Sequence, residues 1–378
     1  MSDPGRVALL TYSTKPRGGV VHTLALAEAL TAQGVDVEVF GLGSEGFFRP
    51  TSVPYTLFPA PEGCATLAEK VFASVDAMAA GLAKVAGDFD LLHAQDCMSA
   101  RAATRVRDEA ARPLPVVRTV HHVDDFTTEA LVDCQRRAIL EPDHLLVVSA
   151  QWREILAADY GVTSEIVRNG VDVARLAGAR SSALRAPFGD RFLFLAVGGV
   201  EPRKGSTTLF RALGLLRERG LRPALAIVGG QSFQDYEAYR QEALALLPSL
   251  GLTLGTDVVR VGTVTDADLA TWYRSADALA FPSVKEGFGL VALEALAADL
   301  PVVASDLPVF REFLTDGRDA LLPAVGDPAA LADAMERVMT DPALRSALVE
   351  GGRAVVPRFT WAASATRHRE IYRAVLPG

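Results

Sequence analysis

A chain of 378 residues is too long for one ordinary core and comfortable for two, and its 49% hydrophobic and 22% charged residues are a globular composition. The net charge of −8 argues against nucleic acid as a partner, because phosphate backbones call for clustered lysine and arginine. Residues 1–178 hold 16 basic against 23 acidic side chains, which also argues against attachment to anionic lipid.

The opening MSDPGRVALLTYST carries no apolar run long enough for a signal peptide, and no later segment approaches the ~20 apolar residues of a membrane span, so a cytoplasmic location is expected. Cys64, Cys97 and Cys134 are widely spaced and odd in number, which supports neither a disulfide framework nor a zinc site; all three are expected to be buried thiols. The basic run Arg101, Arg105 and Arg107 reads as a solvated helix face.

In chain order, the apolar run VALLTY is followed by a helical pattern through LALAEAL, then VDVEVF, and later DLLHA, PVVRTV and HLLVVS. Near-continuous apolar strands alternating with helices predict parallel βαβ units buried on both faces. Residues 1–178 therefore read as one doubly wound domain. Small residues with Pro187 and Gly189 mark Ala177–Asp190 as a linker. The alternation then restarts with RFLFLAVG, TLFRALGLLRERG, ALAIVGG, VVRVG, ALAFPS, LVALEALA and PVVAS, a second α/β domain over residues 188–360. The last helix, within residues 361–378, spaces Trp361, Ile371, Tyr372 and Leu376 along one apolar face, so it is expected to complete the first domain. Two such Rossmann-like domains would face each other across a cleft, with ligands outside the carboxyl ends of the strands.

Two segments carry the chemistry. In PSVKEGFGLVALEALA, residues 282–297, a strand ends at Phe281, a glycine-bearing loop follows, and a helix is expected to begin near Phe288. Gly287 and Gly289 permit close backbone approach, and the first free N–H groups of the helix face an anion, so this reads as a diphosphate seat. Glu286 and Glu294 bracket it, eight residues or about 12 Å apart at a ~1.5 Å rise, a span that suits the two hydroxyl-bearing ends of a nucleotide sugar. Each also has a plainer reading: Glu294 as a solvated helix residue, and Glu286 as a helix-entry charge favoured by the dipole. In GGVEPRKG, residues 198–205, Gly198 and Gly199 end a strand and Arg203 with Lys204 offer fixed positive charge to a leaving diphosphate, or serve only as surface charge.

With NGVD at Asn169–Asp172 and PRGGV near the N-terminus, these motifs resemble glycosyltransferase family 4 over nearly the whole chain and in the expected order. The resemblance implies a GT-B fold, retention of anomeric configuration and no metal or other cofactor. It implies that Arg203 and Lys204 bind the donor diphosphate, that Glu286 meets the donor sugar and Glu294 the ribose, and that Phe288, Gly289 and Leu290 offer backbone amides. Gly18 and Gly19 match the N-terminal glycine loop under the phosphates, and His121 matches the histidine that reaches the donor sugar. Ser149 and Asn169 match positions at the domain junction. The sequence departs from the family at His122, Asp124 and Asp125, where many relatives have a single His-Asp pair. It departs again at Leu307 and Pro308, which replace a glycine pair ahead of Glu312. His22, one turn into the first helix, reads as packed or capping rather than acceptor-binding.

The implied activity is transfer of a sugar from a nucleotide diphosphate donor, uridine favoured by family frequency, to a small-molecule, glycan or lipid-linked acceptor. The leaving group is already a stable anion, so the glutamates need not act as a glycosidase pair. A hydrolysing nucleotide-sugar epimerase and a non-catalytic nucleotide-sugar binding module stand as alternatives. A Rossmann dehydrogenase is disfavoured, because no G-x-G-x-x-G follows the first strand.

Overall fold

The apolar runs do form strands. The computed structural model describes residues 5–230 and 236–376, in two units: residues 1–170 with 360–378, and residues 171–359. In the first unit seven parallel strands, β1 (Arg6–Thr11), β2 (Asp36–Leu42), β3 (Tyr55–Phe58), β4 (Leu91–Ala94), β5 (Val116–Val120), β6 (His144–Val147) and β7 (Glu165–Ile166), lie in the order β3-β2-β1-β4-β5-β6-β7. Val7, Ala8, Leu9 and Leu10 of β1 are all fully buried, as a strand covered by helices on both faces requires. The second unit orders β8 (Leu193–Val197), β9 (Ala224–Val228), β10 (Val258–Gly262), β11 (Ala278–Phe281) and β12 (Val302–Ala304) as β10-β9-β8-β11-β12, again parallel. Both sheets are Rossmann-like, and in each the strand order reverses at a switch point, β1/β4 in one and β8/β11 in the other.

The helix Trp361–Val375 belongs to the first unit. Its Ala365, Ile371 and Tyr372 share a core with Val7 and Leu9 of β1, Leu24 of the helix Gly18–Ala32, and Val37 of β2. Its entry depends on Gly170, where a Cβ would lie 2.2 Å from the backbone nitrogen of Trp361.

Several sequence expectations shift. The first unit ends at Gly170, earlier than residue 178, and Ala177–Asp190 is folded into the second unit rather than linking the two. Arg180 and Arg185 both donate to Asp277, the Ser181 amide donates to the Ser275 hydroxyl at 2.9 Å, and Phe188 is buried with its ring 6.2 Å from that of Trp272. Composition signalled a break there, but polar anchoring fixed the segment. Arg101 is not solvated: it is buried against Glu141 in an ion pair, while Arg105 pairs with Asp76 and Arg107 with Asp143. Cys97 and Cys134 are buried, whereas Cys64 is only partly so. Among the described residues no helix is long and apolar enough to cross a membrane.

Candidate active site

The second unit's switch point gathers the motif residues because two loops meet backbone to backbone. Gly205 adopts φ +65°, and a Cβ there would sit 2.0 Å from the Pro282 carbonyl oxygen, so only glycine lets the loop after β8 lie on the loop after β11. The Val284 amide then donates to the Arg203 carbonyl at 2.9 Å. Gly205→Ala should therefore destabilise the protein by at least about 2 kcal/mol, from the left-handed backbone plus a clash with a carbonyl that cannot rotate away. Denaturant unfolding of the two proteins measures the difference.

That crossing brings the charges together. Lys204 Nζ donates to Glu286 Oε1 at 2.7 Å and Arg203 donates to the same oxygen at 3.1 Å, while Lys204 Nζ also lies 4.6 Å above the Phe281 ring. The Lys204 side chain is only 15% exposed and Glu286 is buried, so neither is a mere surface charge. Burial pushes the Glu286 carboxyl up, but Lys204 and then Arg203 override it and hold it at about 2. Burial lowers Lys204 despite its partner. Gly198, at φ +126°, has Lys204 Cε 3.1 Å from where its Cβ would be, so the lysine stem lies across a bare backbone; Gly199 has no room for a Cβ against the Gly230 carbonyl.

The helix beyond begins at Leu290, two residues later than expected, because Gly289 at φ +95° serves as its cap. A Cβ at Gly289 would strike the Phe310 ring at 2.3 Å. Phe288 is buried and stacks on Phe313 at 5.4 Å, so its ring anchors the loop. The N–H groups of Leu290 and Val291 precede the first intrahelical donor, the Ala292 amide that bonds to the Gly289 carbonyl at 3.0 Å, so they form the helix end that can face an anion.

Glu294 is buried in a second cluster that sequence reasoning missed. Arg175 donates to its Oε1 at 2.5 Å and Tyr273 to its Oε2 at 2.7 Å, and Arg175 also reaches Asp266 at 2.8 Å. Burial raises the Glu294 carboxyl above the usual range, against the pull of Arg175. Arg175 stands three residues past NGVD, and nothing in spacing alone ties it to a helix 119 residues away.

In the first unit, Gly18 and Gly19 open the helix after β1, and a Cβ on Gly19 would make ordinary contact with His121 at 3.7 Å. The glycine thus leaves a gap beside His121 rather than relieving a clash. His121, just past β5, pairs through Nε2 with Gln95 Oε1 at 3.1 Å. His122 is exposed, 3.4 Å from Asp124. His22 is fully buried and donates from Nδ1 to Asn169 Oδ1 at 2.8 Å, so Asn169 spends its side-chain oxygen holding the first helix. Ser149 caps the helix Ala150–Tyr160. Among the described residues no three histidine, cysteine or carboxylate side chains are grouped to hold a metal.

Comparison with known proteins gives the family and the fold. The family described as Glycosyltransferase Family 4 matches residues 16–175, and that described as Glycosyl transferases group 1 matches residues 191–341. A phosphatidyl-myo-inositol mannosyltransferase from Mycobacterium leprae is 32% identical over 96% of this chain and 95% of its own length. The chain belongs to glycosyltransferase family 4. A D-inositol 3-phosphate glycosyltransferase from Salinispora arenicola is 30% identical over 98% of this chain and 92% of the relative. This family 4 glycosyltransferase shares the GT-B fold of a sucrose-phosphate synthase from Thermosynechococcus elongatus, with a TM-score of 0.80 at 24% identity, covering 98% of each chain. It shares it equally with Anabaena HepE, solved in complex with UDP-glucose, with a TM-score of 0.80 at 19% identity over 98% of this chain and 100% of that one.

Proposed function

We propose that this glycosyltransferase takes its sugar from a uridine diphosphate donor and transfers it with retention, without a metal, to a polyol acceptor of the inositol type. The observation that carries the donor reading is the Lys204–Glu286–Arg203 cluster at the β8/β11 switch point, beside the start of the Leu290–Ala297 helix. Two cations on one carboxylate leave one positive charge in excess, aimed where a leaving diphosphate would develop negative charge. Fixed ammonium and guanidinium groups do there what a bound cation would otherwise do. UDP-glucose bound to Anabaena HepE supports uridine, and the inositol substrates in the names of the M. leprae and S. arenicola relatives support the acceptor class.

On this reading Arg203 and Lys204 hold the diphosphate, the amides of Gly289 and Leu290 approach its oxygens, and Glu294 accepts from the ribose. Glu286, released from its cations as the phosphates arrive, accepts from hydroxyls of the transferred sugar. The acceptor hydroxyl attacks from the leaving-group face and its proton passes to the departing phosphate oxygen, so no protein nucleophile is needed. A hydrolysing epimerase would free a changed sugar with no acceptor present, which product analysis separates. The reaction is assigned to the cytoplasm, where nucleotide sugars are made.

A thermal-shift panel of UDP, GDP, ADP and TDP tests the donor. Ligand at 100 times its dissociation constant stabilises by about 2.7 kcal/mol, a rise in melting temperature of roughly 5–10 °C for a unit of this size. UDP should give the largest shift. No shift with any of the four would overturn the reading.

A further inference from the structure

Four of the six histidines, His22, His93, His121 and His368, stand in a row inside the first unit, three of them fully buried. One amide decides the protonation of two of them. Gln95, which is buried at the end of β4, has its Nε2 3.1 Å from His93 Nε2 and its Oε1 3.1 Å from His121 Nε2. An amide nitrogen only donates and an amide oxygen only accepts. His93 Nε2 must therefore be bare, accepting from Gln95 and from the Thr119 hydroxyl at 2.8 Å. Its proton then sits on Nδ1 and is donated to the Tyr372 oxygen at 2.7 Å. By the same logic His121 carries its proton on Nε2 and leaves Nδ1 bare, and Nδ1 makes no hydrogen bond among the described residues.

Burial holds both rings in the neutral form, His93 well below the ordinary histidine range and His121 down to about 3, the latter helped by His122 and His93. A neutral ring has a definite tautomer, so the relay fixes a chemical property of His121 and not only its angle. A bare imidazole nitrogen accepts from a hydroxyl and repels a phosphate oxygen.

We infer that Gln95 is a positioning residue, which, backed by His93 and by Tyr372 of the C-terminal helix, locks His121 as the Nε2–H tautomer and leaves Nδ1 as an acceptor for a substrate hydroxyl. The role in turnover rests on the donor reading above; the tautomer does not. The C-terminal helix thereby contributes to the first unit's chemistry as well as to its core, since Tyr372 terminates the relay two hydrogen-bonded side chains away from His121.

The test uses the full chain labelled with 15N-histidine, with long-range proton–nitrogen correlation spectra assigned by the loss of signals in His121→Gln. Wild type should show His121 protonated on Nε2. Gln95→Met should give a mixture of tautomers and lower kcat roughly tenfold, with the donor KM changed less than about twofold. Gln95→Glu keeps an acceptor on His121 and should restore the Nε2–H form. Tyr372→Phe leaves the packing in place and never touches His121, yet should also mix the tautomers; it decides the matter if Gln95→Met fails to fold. The inference is overturned if wild type carries the proton on Nδ1, or if His121 stays wholly Nε2–H in both Gln95→Met and Tyr372→Phe. It is overturned as a statement about turnover if the tautomers mix and kcat does not fall. The spectra need no donor, so a flat nucleotide panel, fatal to the donor reading, leaves the tautomer to be judged separately.

Discussion

Replacing Lys204 with alanine is expected to lower turnover by about 10²-fold or more while the protein stays folded. The ammonium sits 2.7 Å from Glu286 in a mostly buried position, and its stem crosses the bare backbone of Gly198. Water does not replace it easily there. In the proposed reaction its charge is worth more in the transition state, when the bridging oxygen takes up charge, than in the bound donor. The loss should therefore fall on kcat more than on KM. Breaking a buried ion pair by removing one partner ordinarily costs about 3–5 kcal/mol, because it strands a charge, but Arg203 remains 3.1 Å from the same carboxylate oxygen. The stability cost should accordingly be below about 3 kcal/mol. Turnover at saturating donor and acceptor, read beside a denaturant titration, checks both parts; unchanged kcat would reduce Lys204 to a structural counter-ion of Glu286.

Strand periodicity and loop glycines are local features, and that is why the architecture was legible before the structure. β1 is apolar from Val7 to Leu10 and β8 throughout, and the RKG turn and the Glu286–Glu294 stretch stand at strand ends where a doubly wound sheet puts its ligands. Two strands gave little signal: Tyr55–Phe58 is four residues between prolines, and Glu165–Ile166 is a two-residue edge. The Ala177–Asp190 segment reads as loose because its anchors, Ser275 and Asp277, lie about a hundred residues on, and pairwise side-chain contacts at that range leave no periodicity. The same holds within the site. Arg175 and Tyr273 on Glu294, and Gln95 at the end of β4 on His121 past β5, are meetings of residues from different strands and helices, each of which alone is an ordinary polar residue. Arg101 shows the reverse error: three arginines at helical spacing look solvated until Glu141, on the neighbouring helix end, buries the first of them.

The two glutamates should separate cleanly when each is changed to glutamine. Glu294 sits between Arg175 and Tyr273, with one donor on each oxygen, so the carboxylate plane is fixed and its remaining lone pairs are free to accept from a ribose diol. Glu294→Gln turns one of those oxygens into a donor that faces either Arg175 or the Tyr273 hydroxyl, which disturbs the clamp and the ribose contact together. UDP affinity should fall at least about tenfold. Glu286→Gln acts in the opposite sense on the nucleotide, because in the unliganded protein Glu286 itself occupies Lys204 and Arg203. Neutralising it removes an internal competitor for the diphosphate, so UDP affinity should be preserved or increased, while sugar transfer should fall by about 10²-fold because the sugar loses its charged acceptor. Calorimetric titration with UDP alone gives the affinities, and turnover with and without chelator gives the rest. On the proposed reading the positive charge at the diphosphate comes from side chains, so chelator should leave wild-type turnover unchanged. A loss of UDP binding in Glu286→Gln as severe as in Glu294→Gln would place the diphosphate, rather than the sugar, against Glu286, and abolition of wild-type activity by chelator would put a metal where Lys204 and Arg203 are assigned.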